Sequence, residues 1–304
     1  MSEIVLKFCG FLAVILVTYV LKQAGLFHKE DGHMMSRLMM NVTMPCALLS
    51  AGRNLRLSVP LVLTLVLAVC CNLVLVGGGI FSAKKLGRKM QGVFAINSSG
   101  FNVGSFALPF IQFFFPASVL GYVCMFDMGN AIMNLGVNNT IGSIVASSDV
   151  RPTVRGVIKR LLATPPFSVY IIVVVLALFG LSIPDGVLTL VSIAGNANAF
   201  VAMAMIGMLL EVKLPKGDVR LLVRLLAGRY LLVLAMGLLI WFVLPFPTEA
   251  KKVLILCIAA PITSTAPVFT SEMVGESDIP AAANSIAILI SLALMTGLMV
   301  FFAA

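Results

Sequence analysis

Residues 95–112 read A-I-N-S-S-G-F-N-V-G-S-F-A-L-P-F-I-Q. The stretch has the greasiness of a membrane-crossing helix, which needs about 20 residues. Yet it contains Asn97, Ser98, Ser99, Gly100, Asn102, Gly104, Ser105 and Pro109. Pro109 removes a backbone donor and frees the carbonyl of Ser105, while the glycines weaken the helix just upstream. Freed backbone groups at membrane depth persist only inside protein or beside a water-filled cavity. A second stretch, residues 257–271, reads C-I-A-A-P-I-T-S-T-A-P-V-F-T-S, with Pro261 and Pro267 flanking Thr263, Ser264 and Thr265. Two interrupted membrane segments in corresponding places point to the binding site of a transporter.

Working outward, 60% of the 304 residues are hydrophobic and 11% charged, against about a quarter charged in soluble domains. The chain reads as an all-α integral membrane protein. Its 21 Lys and Arg outnumber 12 Asp and Glu, but no basic stripe with interleaved aromatics marks a nucleic-acid partner. The six cysteines lie in apolar segments without metal-ligand spacing, and His28 and His33 fall in a charged loop. No metal or cofactor site follows from them. Asp127 has no second intramembrane carboxyl for acid–base work, and no phosphate-binding loop is present. An enzyme is not indicated.

Ten apolar segments are expected to span the bilayer, at roughly 3–21, 34–51, 58–81, 91–112, 117–146, 161–180, 187–210, 220–243, 252–274 and 279–303. The basic residues between them are uneven. Sixteen, from Lys22 through Arg151, Arg155, Lys159 and Arg160 to Arg224 and Arg229, fall on the face opposite the termini, and four, Arg53, Arg56, Lys251 and Lys252, fall with the termini. By the positive-inside rule the sixteen face the cytosol and both termini face out.

The basic linker 149–160 divides the chain into residues 1–148 and 161–304, with five spans each. Five is odd, so two similar halves must insert upside down relative to one another. Span 2 ends A-L-L-S-A-G-R-N-L-R-L and span 7 ends A-M-A-M-I-G-M-L-L-E-V, placing Gly52 against Gly207. In each half the fourth span is the interrupted one.

Interrupted helices bring half-helix ends toward the midplane, where free N–H groups attract anions. Asn97, Ser98, Ser99, Asn102, Gly104 and Pro109 in span 4, with Pro261, Thr263, Ser264, Thr265 and Pro267 in span 9, are therefore the candidate substrate-binding residues. The plainer alternative is that they only repair freed carbonyls and let helices pack closely. Asp127, Asn130, Asn134 and Asn138 line one face of span 5. Asp127, Asn130 and Asn134 form a candidate site for a coupled proton or sodium ion, and a structural capping role is the other reading. Pro45 frees the carbonyl of Asn41 and should kink span 2.

The motifs N-V-T-M-P-C-A-L-L-S-A-G in span 2, N-S-S-G-F-N-V-G-S-F-A-L-P in span 4, and A-A-P-I-T-S-T-A-P-V-F with D-I-P-A-A-A-N-S-I-A-I-L-I-S in spans 9 and 10 resemble the auxin efflux carrier family of permeases, of the bile acid/sodium symporter-like superfamily. The resemblance covers essentially the whole chain and is to the short prokaryotic members. It implies two inverted five-helix repeats, with spans 1, 2, 6 and 7 as a scaffold and spans 3–5 and 8–10 as a mobile transport domain. It implies that spans 4 and 9 cross at their breaks, near Pro109 and near Pro261 or Pro267, and that an elevator-like movement carries an organic anion across the plasma (inner) membrane of a homodimer joined through scaffold helices. Where family members often show G-L-P in span 4, this chain has G-S-F-A-L-P. Sodium-coupled anion symport of the bile-acid type, and an anion receptor that does not transport, are the alternatives.

Overall fold

Helix is the only regular structure among the described residues, as expected where lipid offers no partner to a backbone amide. The computed structural model describes residues 2–53, 55–148, 152–210, 219–275 and 277–303. Helix α1 spans Ser2–Gln23; α2 (Lys29–Leu38) continues through a π turn (Met39–Thr43) into α3 (Met44–Ala51). Then come α4 (Val59–Ser82), α5 (Arg88–Ser98), a break, a π turn (Val103–Ala107) and α6 (Leu108–Phe114). A short 3-10 turn leads to α7 (Leu120–Ile132), a third π turn (Met133–Val137) and α8 (Asn138–Val145). The rest comprises α9 (Val154–Leu162), α10 (Pro165–Leu178), α11 (Asp185–Leu209), α12 (Val219–Phe242), α13 (Thr248–Ile258), α14 (Ala266–Val274) and α15 (Asp278–Ala303).

Four of these, α4, α11, α12 and α15, are long and apolar enough to cross a membrane uninterrupted, and α9 with α10 makes a fifth if a pair bent by 84° counts as one. Of the other expected spans, the first is the single helix α1, and the second, fourth, fifth and ninth are assembled from shorter pieces joined by π turns or irregular backbone. The reasons are local. Pro45 and Pro109 each follow a π turn, in which the N–H of Met44 reaches back to Met39 and that of Leu108 to Val103; the wider turn makes room for the ring. The kink expected at Pro45 thus takes the form of a π turn.

The linker expected over 149–160 is helical from Val154, capped by the Thr153 hydroxyl, which accepts from the Gly156 N–H at 3.1 Å. Asp149 to Arg151 lie outside the described residues. Pro165 and Pro166 then open α10, where a missing N–H costs nothing.

Two packing groups can be traced. Helix α11 lies against α1, α2 and α3, and α10 against α3. Helix α4 lies against α5, α7 and α12; α5 also meets α8 and α14, and α13 meets α7 and α12. Small residues bring the helices close. A methyl group at Gly79 would stand 2.6 Å from the carbonyl oxygen of Phe94, and one at Gly207 would overlap the Thr18 hydroxyl and the Ile15 carbonyl. The outer surface is the inverse of a soluble protein's. Val59, Val66, Phe81, Leu190, Ile193, Leu231, Leu234 and Phe242 are all exposed, a surface suited to hydrocarbon rather than water.

Candidate functional site

The first break begins where α5 stops at Ser98. Ser99 turns extended, and Gly100 takes φ +74°, in the left-handed region that side chains disfavour. A Cβ at Gly100 would also strike the Asn134 amide and Thr263. The chain then crosses the second break directly, with the Asn102 N–H donating to the Pro261 carbonyl at 2.9 Å. The crossing therefore lies at Asn102 and Pro261. Pro109, the expected position, is seven residues downstream in α6, buried and away from the crossing. The π turn absorbs its missing bond.

Four asparagines hold this first break. Asn72 of α4 accepts from the Gly100 N–H at 3.0 Å, and Asn130 of α7 accepts from the Phe101 N–H at 3.1 Å while its amide donates to the Phe101 carbonyl at 2.8 Å. Asn138 donates to Asn72 and to Asn134, and Asn134 donates to Asn130. Asp127 accepts from Asn130 at 3.0 Å through one oxygen and from the Tyr170 hydroxyl at 2.6 Å through the other.

The second break runs from Ala259 to Thr265. The Thr263 and Thr265 hydroxyls are 3.1 Å apart, and the Ala266 N–H returns to the Thr263 carbonyl. Pro267 sits in the first turn of α14. Helix α12 supplies one further group. Arg229 is fully buried and donates to the carbonyls of Ser98 at 2.6 Å and Ala260 at 3.1 Å, one at each break. Counting Arg229 with the cytosolic bases is thus corrected: sixteen less one leaves fifteen against four, and the bias stands.

A cavity of about 180 Å³ opens beside the crossing. Asn102, Gly104, Thr263, Ser264, Thr265, Asp127, Asn130 and Asn134 all line it. Each π turn borders it too, through Met40, through Val103 to Ser105, and through Asn134 and Leu135; single π turns recur at functional sites. The remaining candidates are not in its lining. Asn97 ties α5 to α14 by donating to Thr270 at 2.8 Å, the Ser99 hydroxyl returns to the Ala95 carbonyl at 2.7 Å, and Ser98, Pro261, Pro109 and Pro267 shape the backbone. For these the repair reading is the one the geometry fits.

The sequence reading overlooked Ser105, Thr164, Tyr170 and Phe101 in the lining, Asn72 behind it, and Arg229. Only Arg229 carried a clear signal: a cation ten residues into an apolar segment is by default a functional hypothesis. Asn198, by contrast, joins helices, accepting from Thr43 and donating to Gln112.

The ends of the half-helices are sorted. Helices α5 and α13 present C-terminal carbonyls to Arg229, while the turns that start the second halves, Val103–Ser105 and Thr263–Thr265, border the cavity. Partial positive charge at helix starts, the four hydroxyls of Ser105, Thr263, Ser264 and Thr265 and the amide of Asn102 suit an anion. Among the described residues, no group of three or more His, Cys, Asp or Glu could hold a metal. A family model described as membrane transport protein matches residues 8–300. No curated protein matches the chain.

Proposed function

Because this chain belongs to the membrane transport protein family, that of the auxin efflux carriers, we propose that it is a secondary carrier for a small organic anion such as a carboxylate, which binds in the cavity at the crossing. The single observation behind this reading is that cavity: two half-helix starts and the hydroxyls of Ser105, Thr263, Ser264 and Thr265 converge on one space large enough for a few heavy atoms.

The proposed movement is an elevator-like slide of α4–α8 with α12–α15 past a scaffold of α1–α3 and α9–α11. The two packing groups of the fold support that division. So does one pair of glycines: Gly52 of α3's end abuts Val173 of α10, and Gly207 of α11 abuts Ile15 of α1, the exchanged pairing that inverted repeats matching Gly52 to Gly207 would give. Ten spans as inverted repeats, termini on the non-cytosolic side of the plasma membrane, and a homodimer through scaffold helices complete the proposal. The cavity wall includes Thr164 and Pro166, next to the basic α9, so in the proposed orientation the cavity lies toward the cytosolic side.

Asp127 is the proposed proton site. It lines the same cavity as the substrate, and two like charges about 6 Å apart repel by roughly 3 kcal/mol at an effective dielectric of 20. A proton taken up with the anion removes that repulsion. The test is uptake of radiolabelled malonate, malate and indole-3-acetate into proteoliposomes under an imposed proton gradient or membrane potential. Saturable uptake of at least one anion that follows a gradient is expected. Binding without flux under any gradient would make the protein a receptor.

A further inference from the structure

Arg229 stands about 15 Å along α12 from Val219, fully buried inside a helix long and apolar enough to cross a membrane. A charge at that depth is expensive unless its site is built for it. Here the site consists of main-chain carbonyls. The two terminal nitrogens bind Ser98 and Ala260, the guanidinium carbon lies 5.2 Å from the centre of the Phe101 ring, and the third nitrogen, Nε, is buried without a partner. No carboxylate pairs with Arg229 among the described residues.

Each half-helix C-terminus carries roughly half a negative charge. Two of them, α5 and α13, end at this point, so the crossing presents about one unit of negative charge to whatever lies between them. In broken-helix carriers, unwound carbonyls and half-helix C-termini of this kind coordinate the coupled cation. The carbonyls of Ser98 and Ala260 are already engaged by a cation that the chain supplies itself.

Resting on the carrier reading above, we propose that Arg229 is a resident cation. It fills the carbonyl site at the crossing where a coupled sodium ion would otherwise bind, and so makes anion transport independent of sodium. It is a positioning residue: Phe101, whose ring it faces, also lines the cavity, so the fixed charge sits one ring behind the substrate. A freely dissociating ion would leave the crossing negative for part of each cycle, whereas a tethered guanidinium keeps it neutral throughout.

The experiment has a binding arm and a flux arm. Purified wild-type protein is first tested for saturable binding of radioactive sodium by scintillation proximity, without substrate. No saturable binding is expected, and saturable binding overturns the proposal. Flux of the transported anion is then compared in sodium and choline media. Equal rates are expected, and loss of flux in choline overturns it. Arg229→Met should lower flux about tenfold or more in choline. Arg229→Lys, which keeps a charge but loses the two-pronged geometry, should fall between the two and shows that the position tolerates replacement. Wild-type flux in Arg229→Met also contradicts the proposal. Should no anion move under any condition, the carrier reading fails while the sodium-binding arm still decides whether the site is filled.

Discussion

The two breaks meet at one hydrogen bond, yet they are held by different means. The first, at Ser99–Asn102, is bound by side chains from elsewhere: Asn72 and Asn130 occupy both backbone N–H groups of Gly100 and Phe101. The second, at Ala259–Thr265, is bound mainly by backbone, with its hydroxyls paired only with one another and Ser264 exposed to the cavity. A polar residue in a membrane helix can repair the backbone or face a ligand. The first break uses its amides for repair, and the second presents its hydroxyls to the cavity, where the proposed carrier binds its anion.

Substitutions can break this contrast. The largest effect is expected from Asn130→Ala, which removes both bonds to Phe101 and the supports of Asp127 and Asn134. Several buried groups lose partners at about 1–3 kcal/mol each, so a clear fall in the melting temperature of the detergent-solubilised protein should accompany loss of flux. Thr263→Ala with Thr265→Ala should separate the two properties: stability within about 1 kcal/mol of wild type, but anion affinity lower by roughly tenfold, read from the half-saturating concentration for uptake. An equal loss of stability in this double variant would mean that the second break is also repaired by its side chains.

Asp127→Asn keeps an acceptor for Tyr170 but cannot take up a proton. Its flux should persist under a membrane potential and lose the stimulation that an inward proton gradient gives the wild type. Smallest of all is Pro109→Ala, because the π turn before it already accommodates the ring; flux within about twofold of wild type is expected. A severe loss there would return the crossing to Pro109.

How much of this was legible follows from the same contrast. Membrane class, helical composition and both interruptions could be read from residues 95–112 and 257–271, because proline, glycine and amides in an apolar run have no other ready explanation. The i, i+3, i+7 spacing of Asp127, Asn130 and Asn134 places them on one face, and that face lines the cavity. What spacing could not show was which polar atoms were already spent. Asn97 and Asn102 look alike in sequence, yet one joins α5 to α14 and the other faces the cavity. Proline is the strongest local signal and points to a crossing near Pro109, whereas the backbone turns at Gly100, where a positive φ and close contacts from Asn134 and Thr263 decide it. A sum of charges cannot place Arg229, because it ignores depth; its position depends on two carbonyls 131 and 31 residues away.

The central claim is that this cavity opens alternately to the two sides of the membrane. Ser264 lines it and is exposed, so Ser264→Cys can report on it, in a background where the six native cysteines are replaced. Labelling by a membrane-impermeant thiol reagent would be measured from each side of sealed vesicles, with and without the transported anion. The account predicts labelling from either side and protection by the anion. Labelling from one side only, under every gradient and with or without anion, would contradict it.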